Sequence, residues 1–217
     1  MTSCRTALVF LLSLSLAARS QTQPKPAAPP ASKPAEDAQL YRNTTFGFRY
    51  QIPYGWVDRT KDMREQEATD KSDAKEKSNH IAKGEVLLAV FERPPEAIGN
   101  SVNAAVVIAA ENATAYPGLK KAEDYLGPLT ELTTSKGFKA EGDSAVIEID
   151  ARQLVRADFS RPLGVNRNND KLTMRQTTLV LLTHGQIVSF TFIAGSEDEL
   201  DNLVDGLHFG SPKPTTR

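Results

Sequence analysis

The chain predicts an α+β fold, an antiparallel β-sheet with helices packed on it, and three observations carry that prediction. Phe46, Phe48, Tyr50 and Ile52 alternate with Gly47, Arg49 and Gln51. This is the period of two that a strand needs to bury one face and wet the other. Residues 171–183 and 186–194 are long strand-like segments separated by almost nothing, and so short a connection can join only antiparallel neighbours. Finally, Leu200, Leu203, Val204 and Leu207 give a closing helix one apolar face, which must dock on the sheet.

The chain has 217 residues, 40% hydrophobic and 24% charged, in keeping with one ordinary domain plus extensions. Arg5 lies in a short basic start, followed by an apolar run over 7–18 that is too short to span a bilayer and by Ala18-Arg19-Ser20. This is the pattern of a signal peptide, residues 1–20, cleaved between Ser20 and Gln21. The one cysteine, Cys4, precedes the apolar run, whereas a lipid-attachment cysteine would follow it. The mature chain would then carry no cysteine, which excludes disulfides, thiol nucleophiles and Cys-based zinc sites together. Losing Arg5 and Arg19, with no acid among residues 1–20, takes the formal charge from −1 to −3. That balance argues against nucleic acid or an acidic membrane surface as partner. Residues 21–38 are Pro, Ala, Lys and Ser with hardly a large apolar residue, and read as a disordered linker, either a plain spacer or a docking arm. One domain over 39–210 and a flexible tail over 211–217 complete the division.

Within the domain, Pro53-Tyr54-Gly55 ends the first strand in a tight turn that sends Trp56 back to the core as a structural anchor. The next segment, 58–84, is crowded with alternating charges. Pairs such as Glu67 with Lys71 and Asp73 with Lys77 at helical spacing favour a solvated helix, with His80 a surface residue rather than a ligand. Residues 85–91 and 104–109 are continuous apolar runs, which predicts strands buried on both faces under helices on both sides. Leu119, Ala122, Leu126, Leu129 and Leu132 follow helical spacing, interrupted at Gly127-Pro128. Strands follow at 138–141, 145–149, 153–159, 171–183 and 186–194, the last two joined by a hairpin at His184-Gly185. Ser196 can cap the final helix while Glu199 reaches back, and Glu197, Asp198, Glu199 and Asp201 suit the positive end of its dipole.

The opening YRNTTFGFRYQIPYGW and the closing QTTLVLLTHGQIVSFTFIAGSEDELDNLVDGLHF together resemble the PsbP-like group of exported proteins, which includes the bacterial DcrB type. The two motifs bracket most of the domain, and residues 59–84 depart most from the pattern. The resemblance implies an α/β/α sandwich built on an antiparallel sheet, in a group whose members are largely non-catalytic. Its members do unrelated things, so it implies little about process.

The chemistry of catalysis is mostly not found. His80, His184 and His208 are scattered without HExxH spacing, and no G-x-S-x-G elbow, glycine-rich phosphate loop or dinucleotide fingerprint occurs. Asn166, Asn168 and Asp170 have the 1,3,5 spacing of a calcium loop, but Lys171 stands where glycine is needed and Thr177 where the bidentate Glu belongs. No catalytic residue, cofactor or metal is therefore expected. The triplets at Asn43 and Asn112 match the glycan acceptor pattern, relevant only in a glycosylating host.

Strand parity supplies the candidate site. Arg49 with Gln51, Arg152 and Arg156 with Asp158, Arg175 between Thr173 and Thr177, and Ser189 with Thr191 share one parity, and Phe48, Tyr50, Val155, Phe159, Phe190 and Phe192 the other. Such a side can simply be the wet face of an antiparallel sheet. It can also be a groove lined by Arg49, Arg156 and Arg175, with Asp158 as the one matching acid, holding a carboxylate or an acidic partner segment through forked hydrogen bonds. The expectation is an exported, non-catalytic envelope protein, periplasmic or extracellular, that binds a protein partner or assists assembly. The mature chain would have no membrane span and no nucleic-acid partner. A protein binding a small anionic ligand, or an enzyme, through the arginine groove is the alternative.

Overall fold

Two antiparallel sheets and three helices make up the described part of the chain, residues 39–73 and 84–210 of a computed structural model. The expected signal peptide, the linker up to residue 38, the tail, His80 and the pair Asp73–Lys77 fall wholly or partly outside it. The Glu67–Lys71 pair lies where side chains are not described. The elements run β1 (Leu40–Asn43), β2 (Phe48–Gln51), β3 (Val57–Asp58), α1 (Thr60–Asp73), β4 (Glu85–Phe91), β5 (Ala105–Asn112), a 3₁₀ turn at Ala122–Tyr125 leading into α2 (Leu126–Ser135), β6 (Lys139–Ile149), β7 (Arg152–Val165), β8 (Lys171–Thr183), β9 (Gln186–Ala194), α3 (Glu197–Asp205) and β10 (Leu207–Phe209). The large sheet has the order β3-β4-β5-β9-β8-β7-β6, and a small sheet has the order β1-β2-β10. The expected α+β class with an antiparallel sheet is what the structure has.

The large sheet carries a core on each face. Registered rows such as Arg156–Leu179–Phe190–Ile108–Leu88 keep their side chains on one side, because residues directly opposite in an antiparallel pair share a face. On that side Leu154, Leu179, Phe190 and Phe192 pack against Phe48 and Tyr50 of the small sheet and Leu200 and Leu203 of α3. On the other side Ala157, Phe159, Val180 and Ile187 pack against Tyr125, Leu129 and Phe138 around α2. The expectation of one wet face is thus corrected. Phe190 and Phe192 lie on the same face as Arg156, whereas Val155 registers with Val180 and Ser189 on the opposite face.

Burial on both faces holds for β4, where Val86 to Val90 are all buried, but β5 alternates, with Val107 and Ala109 half-buried. The small sheet, not a second helix, supplies the layer over Leu88, Val106 and Ile108. Helix α1 has no apolar face, and what it covers is the sheet edge. Thr60 Oγ1 accepts from the Ala89 N–H at 2.9 Å, the Arg59 N–H donates to the Ala89 carbonyl at 2.8 Å, and Arg64 donates to the carbonyls of Val86 and Leu87. An otherwise open row of backbone groups is closed in this way.

Gly127-Pro128 does not interrupt α2 but starts it. Pro128 sits in the first turn, where its missing N–H would have had no partner. The two short strands expected at 138–141 and 145–149 are one strand, β6, bulged between Glu141 and Ala145. Trp56 is half-buried against the core rather than enclosed. His184 and Gly185 both have positive φ, 50° and 72°, as a two-residue hairpin of this hand requires. At the far end of α3, Gly206 approaches β2 so closely that a Cβ would meet Tyr50 Cε2 at 3.1 Å and the Gln51 carbonyl at 3.2 Å. Its own carbonyl accepts the Gln51 N–H at 2.9 Å, locking the small sheet to α3.

Candidate functional site

Helix α3 determines where the groove lies. The chain leaves β9 at Ala194, Ser196 Oγ accepts the Glu199 N–H at 3.2 Å as the expected cap, and Glu199 reaches back one residue beyond it to accept the Gly195 N–H at 3.0 Å. With Leu200 and Leu203 turned to the sheet, Glu197 and Asp201, one helical turn apart, flank the buried stripe on the side of β7 and β8. Beyond the helix start the sheet face is not covered. A groove of about 290 Å³ opens there, lined by Glu141, Arg156, Asp158, Phe159, Arg175, Glu197, Leu200 and Asp201 among others.

Its charges are locked to one another. Arg156 Nε donates to both carboxylate oxygens of Asp158, at 3.0 and 2.9 Å, and its NH1 lies 3.6 Å from Asp201. The hydroxyl of fully buried Thr177 donates to Asp158 at 2.6 Å, fixing the carboxylate from below. Arg175 NH1 pairs with Glu197 at 3.0 Å, and Glu141 accepts from the Ser160 hydroxyl. Partial burial works against the charge on Arg156, but Asp158 and Asp201 outweigh it, and the guanidinium holds its proton more tightly than an ordinary arginine. Two guanidinium groups face four carboxylates, so the lining is acidic on balance.

Of the residues selected by parity, Arg156, Arg175 and Asp158 come together and Arg49 does not. Arg49 lies in β2 of the separate small sheet, where its NH1 donates to the Gly210 carbonyl at 2.6 Å, and it cannot line the groove. Asp158 is also not the one acid there. Glu197 and Asp201 had an adequate local explanation as acids at a helix start, which hid their second role. The i,i+4 spacing of two acids beside an apolar stripe was the signal that could have revealed it.

The remaining polar clusters have local uses. Asn166 Oδ1 accepts from the N–H groups of Asn168 and Asp170, so this asparagine closes a turn instead of offering an oxygen to calcium. Asn43 and Asn112 each accept backbone N–H groups in their own turns. Glu111 accepts from the hydroxyls of Tyr116 and Tyr125, and burial, reinforced by that carboxylate, pushes both phenols above their usual range. Among the described residues no three His, Cys, Asp or Glu side chains converge as metal ligands would, and no helix is long and apolar enough to cross a membrane.

No protein-family model matches the sequence, and no curated protein does. Solved structures similar to it include cyanobacterial PsbP (CyanoP) from Synechocystis, 15% identical over 85% of this chain and 99% of that one, with a TM-score of 0.46. The Saccharomyces cerevisiae Ran-binding protein Mog1p is 9% identical over 80% and 95%, with a TM-score of 0.42. LpqN, involved in cell envelope biogenesis of Mycobacterium tuberculosis, is 13% identical over 82% and 87%, with a TM-score of 0.39.

Proposed function

We propose that this is an exported, non-catalytic binding or accessory protein of the cell envelope, cleaved after Ser20, whose groove beside α3 receives a segment of a protein partner carrying a basic residue. The observation that supports the choice of ligand is the charge of the lining. Arg156 and Arg175 are already neutralised by Asp158, Asp201 and Glu197, and the side chains of Glu197 and Asp201 remain 75% and 65% exposed. An incoming carboxylate would have to displace one of these acids, whereas an incoming lysine or arginine adds a bond to carboxylates that still have free lone pairs. In this reading Arg156, Arg175 and Asp158 hold the acids in place rather than grip an anion. The apolar run over 7–18 before Ala18-Arg19-Ser20 supports the export part of this reading, and the resemblance of the two terminal motifs to a largely non-catalytic group supports the non-catalytic part.

The test is quantitative pull-down from the envelope fraction, with the mature chain as bait and Glu197→Gln/Asp201→Asn as control. A specific partner held by the wild type and lost from the folded variant is the expected result. Equal retention by both would remove the groove from the interaction, and a mature species retaining Met1 in intact-mass measurement would remove export.

A further inference from the structure

Strands β7 and β8 outrun their neighbours. β6 begins opposite Ser160 and β9 ends opposite Arg175, so from Arg161–Met174 outward the two strands pair only with each other, through Val165 and Lys171 to the turn at Asn166–Asp170. The result is a two-stranded ribbon, five residues long on the β7 side, or about 16 Å at roughly 3.3 Å per residue. A ribbon of this kind gains little stability by itself. Its base is nevertheless held firmly: Arg161 lies 4.9 Å over the Phe138 ring and donates to the Lys136 carbonyl at 3.0 Å. Its outer part exposes aliphatic surface, Leu163 at 42% and Val165 at 58%, beside Arg167 and Lys171, which have no acidic partner among the described residues. Asp170, the one acid of the ribbon, accepts from Asn166 Nδ2 within the turn.

This surface complements the groove at the ribbon's own base. The groove is acidic on balance, and the ribbon is basic. Arg175, at the last rung before the ribbon, lines the groove, so the two surfaces adjoin, and the ribbon of one molecule would have to double back on itself within about one rung to enter its own groove. A second copy has no such restriction. Because ribbon and groove are neighbours, one two-fold axis can place each ribbon over the other molecule's groove, closing the assembly at two.

We propose that the chain forms a reciprocal dimer in which Arg167 and Lys171 of each copy pair with the groove carboxylates Glu197 and Asp201 of the other, and Leu163 and Val165 are covered beside them. The proposal rests on the groove being a binding site, as argued above, and makes the dimer a resting form that a partner's basic segment displaces.

Sedimentation velocity of the mature chain from 1 to 200 µM tests it, with the wild type compared with Arg167→Gln/Lys171→Gln, with Glu197→Gln/Asp201→Asn and with all four changes together. The expected result is a reversible monomer–dimer equilibrium in which each pair of changes raises Kd at least tenfold. The four-fold variant should be little worse than either pair, because all remove one interaction. Raising the salt to 0.5 M should weaken the wild type as well. Leu163→Asn weakens the dimer without touching a charge and keeps the test open if a charge variant misfolds. A wild type that stays monomeric to 200 µM overturns the proposal, as does a dimer that none of these changes weakens. A monomer that still retains its partner in the pull-down overturns the dimer alone and leaves the binding groove standing.

Discussion

The row Asp158–Thr177–Phe192–Val106–Val90 crosses the large sheet on a single face, and its two ends behave differently. Phe192, Val106 and Val90 are fully buried beneath the small sheet and α3, while Asp158 at the other end is about one-third exposed in the groove. The backbone is the same along the row, and only the covering layer differs. Where α3 lays down Leu200 and Leu203 the sheet face must be apolar, and where the helix presents Glu197 and Asp201 instead, the face answers with arginines. Stability therefore resides at one end and the proposed binding at the other, and changes at the two ends should separate these properties.

The largest effect belongs to the buried end. Phe192→Ala should cost roughly 3–5 kcal/mol, the usual range for a fully enclosed aromatic, read from denaturant unfolding. A loss below about 1 kcal/mol would mean that this row is not core. Trp56→Ala comes next at roughly 2 kcal/mol, because a half-buried ring loses only part of the transfer and cavity terms. A Trp fluorescence maximum typical of bulk water would contradict the contact with the core. At the exposed end, Glu197→Gln with Asp201→Asn should shift stability by no more than about 1 kcal/mol, since partly exposed ion pairs contribute little, while partner retention falls. If this variant unfolds instead, the two ends of the row are not separable.

The smallest effect is one of pH. The β6–β7 turn places Asp150, with φ 46°, so that its carboxylate accepts the Phe209 N–H at 3.1 Å and faces His208 Nδ1 at 3.3 Å. The backbone N–H first, then His208 and Arg49, hold its carboxyl below the usual range. A depressed folded value means that the stabilisation is present above about pH 4, the ordinary aspartate value, and disappears as pH falls through the lower folded value. Asp150→Asn should then be slightly less stable than wild type at pH 7 and indistinguishable from it near pH 2. An equal difference at both pH values would rule out the carboxylate as the cause.

Elements dominated by local pattern were legible. The bounds of β8 and β9, the hairpin at His184-Gly185 and the cap at Ser196 follow from alternation, turn chemistry and spacing within a few residues. What failed was anything that depends on the register between strands. Parity within β7 and within β9 reads directly from the sequence, but whether Arg156 lies on the side of Phe190 or of Ser189 depends on a pairing that neither strand encodes alone. Arg49 was misplaced for the same reason, since nothing in β2 says that it belongs to another sheet. The strand β1 was missed because its pairing, not its composition, makes it a strand. Helix α1 showed its charge but not its task, because covering an edge uses Thr60 and Arg64 singly and leaves no periodic trace.

The most direct test of the claim that the uncovered end of the sheet is a basic-segment site is amide NMR of the full mature chain, titrated with tetralysine and, separately, with tetraglutamate. The account predicts saturable shifts with tetralysine at Glu141, Arg156–Asp158, Arg175–Thr177 and Glu197–Asp201, and none there with tetraglutamate. Shifts at those residues with tetraglutamate, or none with tetralysine, would contradict it.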